Sequence, residues 1–210
     1  MSRLSPALAL LGAAAVIAPS QARPPSERGA TLRASLYYVA VEGDYPAGRD
    51  GVFRGARGEV LHRGSRAFLQ AASVEGSART ARGVSLTFDP EHPARGWSTT
   101  LEPYGLDALG CPLAPYRTVA APKWMPLGTR LYIPETVGLP LPDGRRHDGF
   151  WYATDRGVGI EGDRIDLFMR LGEASMRAGE RFGLDYLKPL HVRVVGRVHG
   201  CPAGPSPHIG

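Results

Sequence analysis

Glycine and proline interrupt this 210-residue chain so often, 27 and 19 times, that no long helix can run through it. The segments left between them are short, apolar and rich in β-branched or aromatic residues, which directs the chain toward a β-rich fold with many turns. Leu36–Val41 (LYYVAV) is the first, bounded by Gly43 and Pro46. Residues 46–64 read as a Gly- and Arg-rich loop, and 76–98 as clustered turns around one strand, Val84–Phe88. Thr118–Ala121, Thr129–Ile133, Phe150–Asp155, Ile165–Met169 and His191–Val198 follow as strands, separated by turns such as Pro126-Leu127-Gly128 and Pro142-Asp143-Gly144. Two short helices are expected. One is capped by Ser65 and runs through Ala72, with Phe68, Leu69 and Ala72 on one face; the other runs from Glu173 to Phe182 and ends at Gly183. Strand–turn–strand spacing with so little helix predicts a small closed barrel.

Composition sets the surroundings. A hydrophobic fraction of 43% and a charged fraction of 21% suffice for a core that needs no metal or disulfide. Arg3, the small and apolar run Ala7–Ile17, and Ser20-Gln21-Ala22 have the form of a secretory signal peptide cleaved after Ala22. That run is too short to span a bilayer. The chain then divides into a signal peptide (1–22), a flexible leader (23–35), an N-terminal β/loop region packing on the barrel (36–114), the barrel (115–200) and a flexible tail (201–210). The expected location is the periplasm, the cell envelope or the exterior, as a monomer. A formal charge of +5 suits an anionic partner, but no Lys/Arg block is interleaved with aromatics, so nucleic acid is not expected. Cys111 and Cys201 have two readings in an oxidising compartment. They either close a loop of 90 positions, worth ~4.6 kcal/mol by chain entropy, or remain two thiols. No His/Cys/Asp set has metal-ligand spacing and no serine sits in a nucleophile elbow, so neither metal nor cofactor is expected.

The candidate chemistry lies in Asp155 and Asp166, eleven positions apart, one ending a strand and one within the next. Between them, Gly157, Gly159 and Gly162 permit a tight crossing loop. Alternation puts Ile165, Leu167 and Met169 on one face of their strand and Asp166 and Phe168 on the other. A carboxylate beside an aromatic ring loses solvation, and a like charge nearby raises its pKa further, which a proton-donating aspartate needs. Arg156 and Arg164 push the other way. The alternative is that both aspartates only satisfy turn amides.

Two ordered motifs add to this reading. Met125–Pro134 (MPLGTRLYIP) followed by Ala153–Phe168 (ATDRGVGIEGDRIDLF) closely resembles the 3D domain, a family named for three aspartates that includes the C-terminal part of membrane-bound lytic transglycosylases. The resemblance covers about Tyr116 to Val198, and more weakly the segment from Tyr37. It implies a six-stranded double-psi β-barrel with one or two short helices. It implies Asp166 as the catalytic aspartate, Asp155 as its supporting neighbour, and Gly157, Gly159 and Gly162 as the connecting loop. Ala121 stands where the family's third aspartate is expected, and Arg156 and Val158 also depart from the pattern. The implied reaction is lytic cleavage of the β-1,4 bond between N-acetylmuramic acid and N-acetylglucosamine in peptidoglycan. Gly157, Gly159, Phe168, Lys123, Trp124 and Glu75 are candidates for contacting the glycan. Trp97 and Trp151 are the remaining tryptophans that could stack on sugars. A glycan-binding relative without turnover is the alternative, motivated by Ala121. An aspartic-protease-like reading has little support, because Arg156 occupies the place of the required Thr or Ser and the chain holds no second copy.

Overall fold

The computed structural model describes residues 29–202. The proposed signal peptide, residues 23–28 of the leader and residues 203–210 lie outside the described residues. Eleven strands and two α-helices are described: β1 (Gly29–Val41), β2 (Gly51–Arg54), β3 (Val60–Gly64), α1 (Arg66–Glu75), β4 (Ser77–Arg79), β5 (Ser85–Phe88), β6 (Trp97–Thr100), β7 (Thr118–Ala120), β8 (Thr129–Tyr132), β9 (Phe150–Asp155), β10 (Arg164–Leu171), α2 (Met176–Arg181) and β11 (Lys188–Arg197).

Six of these strands close a mixed barrel in the order β1, β10, β7, β9, β8, β11 and back to β1. The pairs β1–β10 and β7–β9 are parallel, and the other four are antiparallel. This agrees with the double-psi β-barrel implied by the resemblance. Leu32, Ala34, Val119, Leu131, Trp151, Ile165, Leu167, Leu190 and Val192 fill its interior. Alternation along each strand selects them, and each large side chain taken from water contributes about 1.5–3 kcal/mol. As the strand pattern predicts, Ile165, Leu167 and Met169 point inward. Trp151 is fully buried there, and Trp97 is nearly so in a second core.

β1 does not stay in the barrel. Its last residues, Ala40 and Val41, pair in parallel with Ala78 and Arg79 of β4. β4, β5 and β6 extend from there as an antiparallel sheet, and the β2–β3 hairpin forms beside it. α1 covers this second lobe. Ser65 caps the helix by accepting the Phe68 N–H, and Gly76 closes it at φ 73°, a backbone conformation that favours glycine. Phe68 and Ala72 then pack with Phe53, Leu86 and Trp97 in the second core.

The structure corrects several sequence expectations. The first strand includes Gly29–Ser35 rather than starting at Leu36, because Gly29–Ala34 pair with β11 and Arg33 forms a two-pronged contact with Asp163. Residues 46–64 contain the β2–β3 hairpin rather than loop alone, and 76–98 contribute strands β4, β5 and the start of β6 rather than one strand. These strands are three to five residues long, too short to show periodicity amid glycine. The barrel also begins earlier than residue 115, since β1 is its sixth strand. The second helix is split into a 3₁₀ turn, Glu173–Ser175, followed by α2. Phe168 lies under the surface rather than on it.

A chain restricted to residues 115–202 lacks β1 and leaves β10 and β11 with open edges. Far-UV circular dichroism and amide proton dispersion are expected to show it unfolded, whereas residues 29–202 fold.

Candidate active site

A narrow groove lies on the outside of the barrel where it meets the second lobe, with about 40 Å³ of room inside it. One wall carries Asp155, Asp166, Ala120 and Gly157 from the barrel, and the other carries Glu75 and Phe88 from the second lobe. Beneath it, Tyr37, Val39, Leu113, Ala120, Ile160 and Phe168 form a third apolar cluster. The groove therefore lies over a dry seam.

Two backbone devices bring the aspartates to this wall. Asp166 lies in register with Ser35 of β1 and Ala120 of β7, on the outward face of β10. Asp155 reaches the same face through a bulge. Val119 pairs with Ala153 and Ala120 pairs with Asp155, so Thr154 is an extra residue on β9. Strict alternation after the buried Trp151 and Ala153 would have sent Asp155 into the barrel; the bulge turns it outward. β7 separates the two aspartate-bearing strands, which puts their backbones two strand spacings apart, about 10 Å. Ala120 lies between them and leaves that span open.

The two carboxyls differ in their surroundings. Asp155 is fully engaged: its Oδ2 accepts the Tyr37 hydroxyl at 2.8 Å, and its Oδ1 accepts the N–H groups of Ala108 at 3.1 Å and Arg156 at 2.9 Å. Burial raises its pKa to about 6 against these three bonds and the Arg156 charge. Asp166 keeps a buried Oδ1 with no hydrogen-bond partner. Burial, strengthened by the Asp155 charge, raises it to about 7, while the Ser35 hydroxyl and Arg164 oppose the rise. Asp166 can thus hold a proton near neutral pH and release it without breaking a bond at Oδ1. Asp155 is arranged to hold its neighbours in place.

Glu75 ends α1 and accepts the Tyr38 N–H through Oε2 at 3.1 Å. Burial, with Asp166 and Glu173 nearby, raises it to about 8. The other candidates lie elsewhere. Phe168 is fully buried under the groove, packed against Tyr37 with ring centroids 5.1 Å apart, and has no surface for a sugar. Gly159 is at the exposed tip of the loop and Lys123 is exposed; neither lines the groove. Trp124 is also outside it, 57% exposed, with its indole N–H donating to the Gly162 carbonyl.

Two departures from the family pattern meet in space. Ala121 points into the barrel core, and Arg156 aims its Nη atoms at the carbonyls of Ala121, Pro122 and Met125. A guanidinium thus ties down the segment that has no acid at position 121.

Sequence reasoning missed Tyr37 and Asp107. The run LYYVAV is apolar on both faces, a sign of a strand buried on both sides, and that was the available clue to Tyr37. Asp107 is marked by nothing local. It is nonetheless central to the loop: its Oδ1 accepts the N–H groups of Leu109 and Cys111, and Ala108 then donates to Asp155. The disulfide between Cys111 and Cys201 anchors this loop, with a Cα–Cα distance of 5.3 Å.

Raised carboxyl pKa values carry a stability cost with a definite sign. Asp166 is harder to ionise folded than unfolded, so the folded state binds more protons. Stability is therefore unaffected below about pH 4 and falls as pH rises toward 7. Asp166→Asn is expected to raise stability at pH 8 by on the order of 1–3 kcal/mol and to leave it unchanged at pH 4, as measured by denaturant unfolding at both pH values. In parallel, reducing the Cys111–Cys201 bond is expected to lower stability by roughly 3–5 kcal/mol in the same assay.

The comparisons with known proteins bear on this geometry. Residues 117–187 match the family model described as the 3D domain. No curated protein matches the sequence. Among solved structures, E. coli MltA with bound chitohexaose is similar at 16% identity, covering 78% of this chain and 71% of that one with a TM-score of 0.51. A membrane-bound lytic murein transglycosylase from Agrobacterium tumefaciens matches at 15% identity, over 78% of this chain and 73% of that one, with a TM-score of 0.49. The first of these likenesses extends to the fold across both lobes. The motifs read from the sequence and the matching family model agree that residues 117–187 are similar to the 3D domain, and the strands of that segment belong to the closed six-stranded barrel.

Proposed function

We propose that this chain is an exported, peptidoglycan-active enzyme of the lytic transglycosylase type, with Asp166 as its single acid/base. The observation that carries the reading is Asp166, a carboxyl whose buried Oδ1 has no hydrogen-bond partner, lining the narrow groove beside a second carboxyl that is already fully engaged. The similarity of the fold to a transglycosylase solved with chitohexaose supports it. The N-terminal signal-peptide pattern supports export.

In the proposed reaction the glycan lies along the groove with the scissile β-1,4 bond at Asp166. The protonated carboxyl donates to the glycosidic oxygen as the bond from C1 of N-acetylmuramic acid breaks, and that oxygen leaves as the 4-hydroxyl of N-acetylglucosamine. The 6-hydroxyl of the same muramyl unit then bonds to C1, and its proton returns to Asp166. The product is a 1,6-anhydro ring and no water is consumed. Glycosidases that use water need two carboxyls in fixed geometry, whereas here one suffices in sequence. Asp155 fixes Tyr37 and the 106–113 loop and supplies the like charge that keeps Asp166 protonated. Ala121 favours a second reading, a groove that binds glycan without cleaving it.

Zymography on purified sacculi, with mass analysis of soluble products, separates the two readings. Clearing with anhydro-muropeptides is expected for the unaltered protein. Asp166→Asn is expected to lose activity about 10³-fold, within the range for a removed acid/base, and Asp155→Asn about 10–100-fold. Binding to sacculi without clearing would establish the second reading.

A further inference from the structure

The groove has almost no side-chain donors to spare. Tyr37 gives its hydroxyl proton to Asp155, Ser73 gives its own to the Leu69 carbonyl, and Arg156 turns both Nη nitrogens onto backbone carbonyls. The Nε of Arg156 lies 3.8 Å from the Glu91 carboxylate. The remaining polar side chains of the lining are carboxyls: Glu75, Asp155 and Asp166. A sugar hydroxyl can meet such a wall, because it donates as readily as it accepts. The carbonyl oxygen of an acetamido group only accepts, and beside three ionised carboxylates it would be left without a side-chain partner. A ligand that brings acetamido groups therefore meets a side-chain donor here only at a carboxyl that keeps its proton. Asp155 has both oxygens committed, and Asp166 is needed at the scissile bond.

We propose that Glu75, held on the second lobe by the Tyr38 N–H, is a specificity-determining hydrogen-bond donor that receives the acetamido carbonyl of the glycan across the groove from Asp166. This rests on the glycan reading above and adds a recognition role for the second lobe. Burial favours the neutral form of Glu75, and the like charges of Asp166 on β10 and Glu173 beyond it reinforce that form. The Tyr38 N–H favours the ionised form, and the other charged groups of the groove lining are Asp155 and Arg156. Donation is present while Glu75 is protonated and is lost as pH rises through its titration. The glutamine variant retains a donor that cannot ionise.

The test measures calorimetric affinity for chitohexaose, and for cellohexaose, which carries hydroxyls in place of the acetamido groups, between pH 6 and 9. It uses the full chain carrying Asp166→Ala, which silences one titration without adding a donor. With Glu75 present, chitohexaose affinity is expected to fall about tenfold from pH 6 to pH 9. Adding Glu75→Gln should abolish this fall and keep the preference for the acetylated oligomer. Adding Glu75→Ala should weaken chitohexaose binding about tenfold at pH 6 and erase the preference. Equal affinities for the alanine variant and its parent at pH 6, or a pH-dependent loss that persists with glutamine, would overturn the role of Glu75 alone. Absence of chitohexaose binding at every pH would overturn the glycan reading and this inference together.

Discussion

The parallel pairing of β1 with β10 is the contact on which the rest of the molecule depends. Ser35 lies beside Asp166 and Tyr37 beside Phe168. This pairing closes the barrel, because β10 and β1 would otherwise keep open edges. It also continues into the second lobe, since the same strand pairs with β4 four residues beyond Leu36. Even-numbered residues of β1 change surroundings along its length: Leu32 and Ala34 serve the barrel core, and Tyr38 and Ala40 serve the core of the second lobe. The odd-numbered Tyr37 and Val39 floor the groove between them. One strand thus fixes how the lobes meet, and the groove is the line of that meeting.

The groove sets electrostatics against stability. Three carboxyls face one partly dehydrated space, and each is displaced upward chiefly by lost solvation. Such displacement lowers the stability of the folded chain at neutral pH, and an apolar substitution there would relieve it. The arrangement persists because the surrounding structure holds it. The barrel interior is packed with large apolar side chains, and Asp155 is locked by three hydrogen bonds. A site that must donate protons near neutral pH needs carboxyls in this condition, so the strain and the proposed chemistry have one physical origin.

The loops around the groove are held by contacts far apart in sequence. The Cys111–Cys201 disulfide secures the 106–113 segment from the far end of the chain, and that segment supplies the Ala108 N–H to Asp155. Arg156 grips the backbone of residues 121–125, and Trp124 donates to the end of the glycine loop at Gly162. The wall of the groove is therefore stiffened by side chains reaching to backbone. At position 121 the alanine side chain packs in the barrel core, and Arg156 supplies the local polar contacts.

The sequence by itself determined the strands of the barrel from Thr118 onward, both helices and the cap at Ser65, because alternation, glycine turns and capping act over a few residues. It also singled out Asp155 and Asp166 through the motifs around them, and left the two cysteines open between bond and thiol. Only the tertiary structure decided that β1 is the sixth barrel strand, that the bulge at Thr154 turns Asp155 outward, that Phe168 lies beneath the groove, and that Glu75 faces Asp166 from the opposite lobe. It also decided the fate of the cysteines and placed Tyr37 and Asp107 at the site. Each of these depends on pairing between residues dozens of positions apart, where register, burial and lost hydration are set by the partner, and the local run of residues carries no record of that partner.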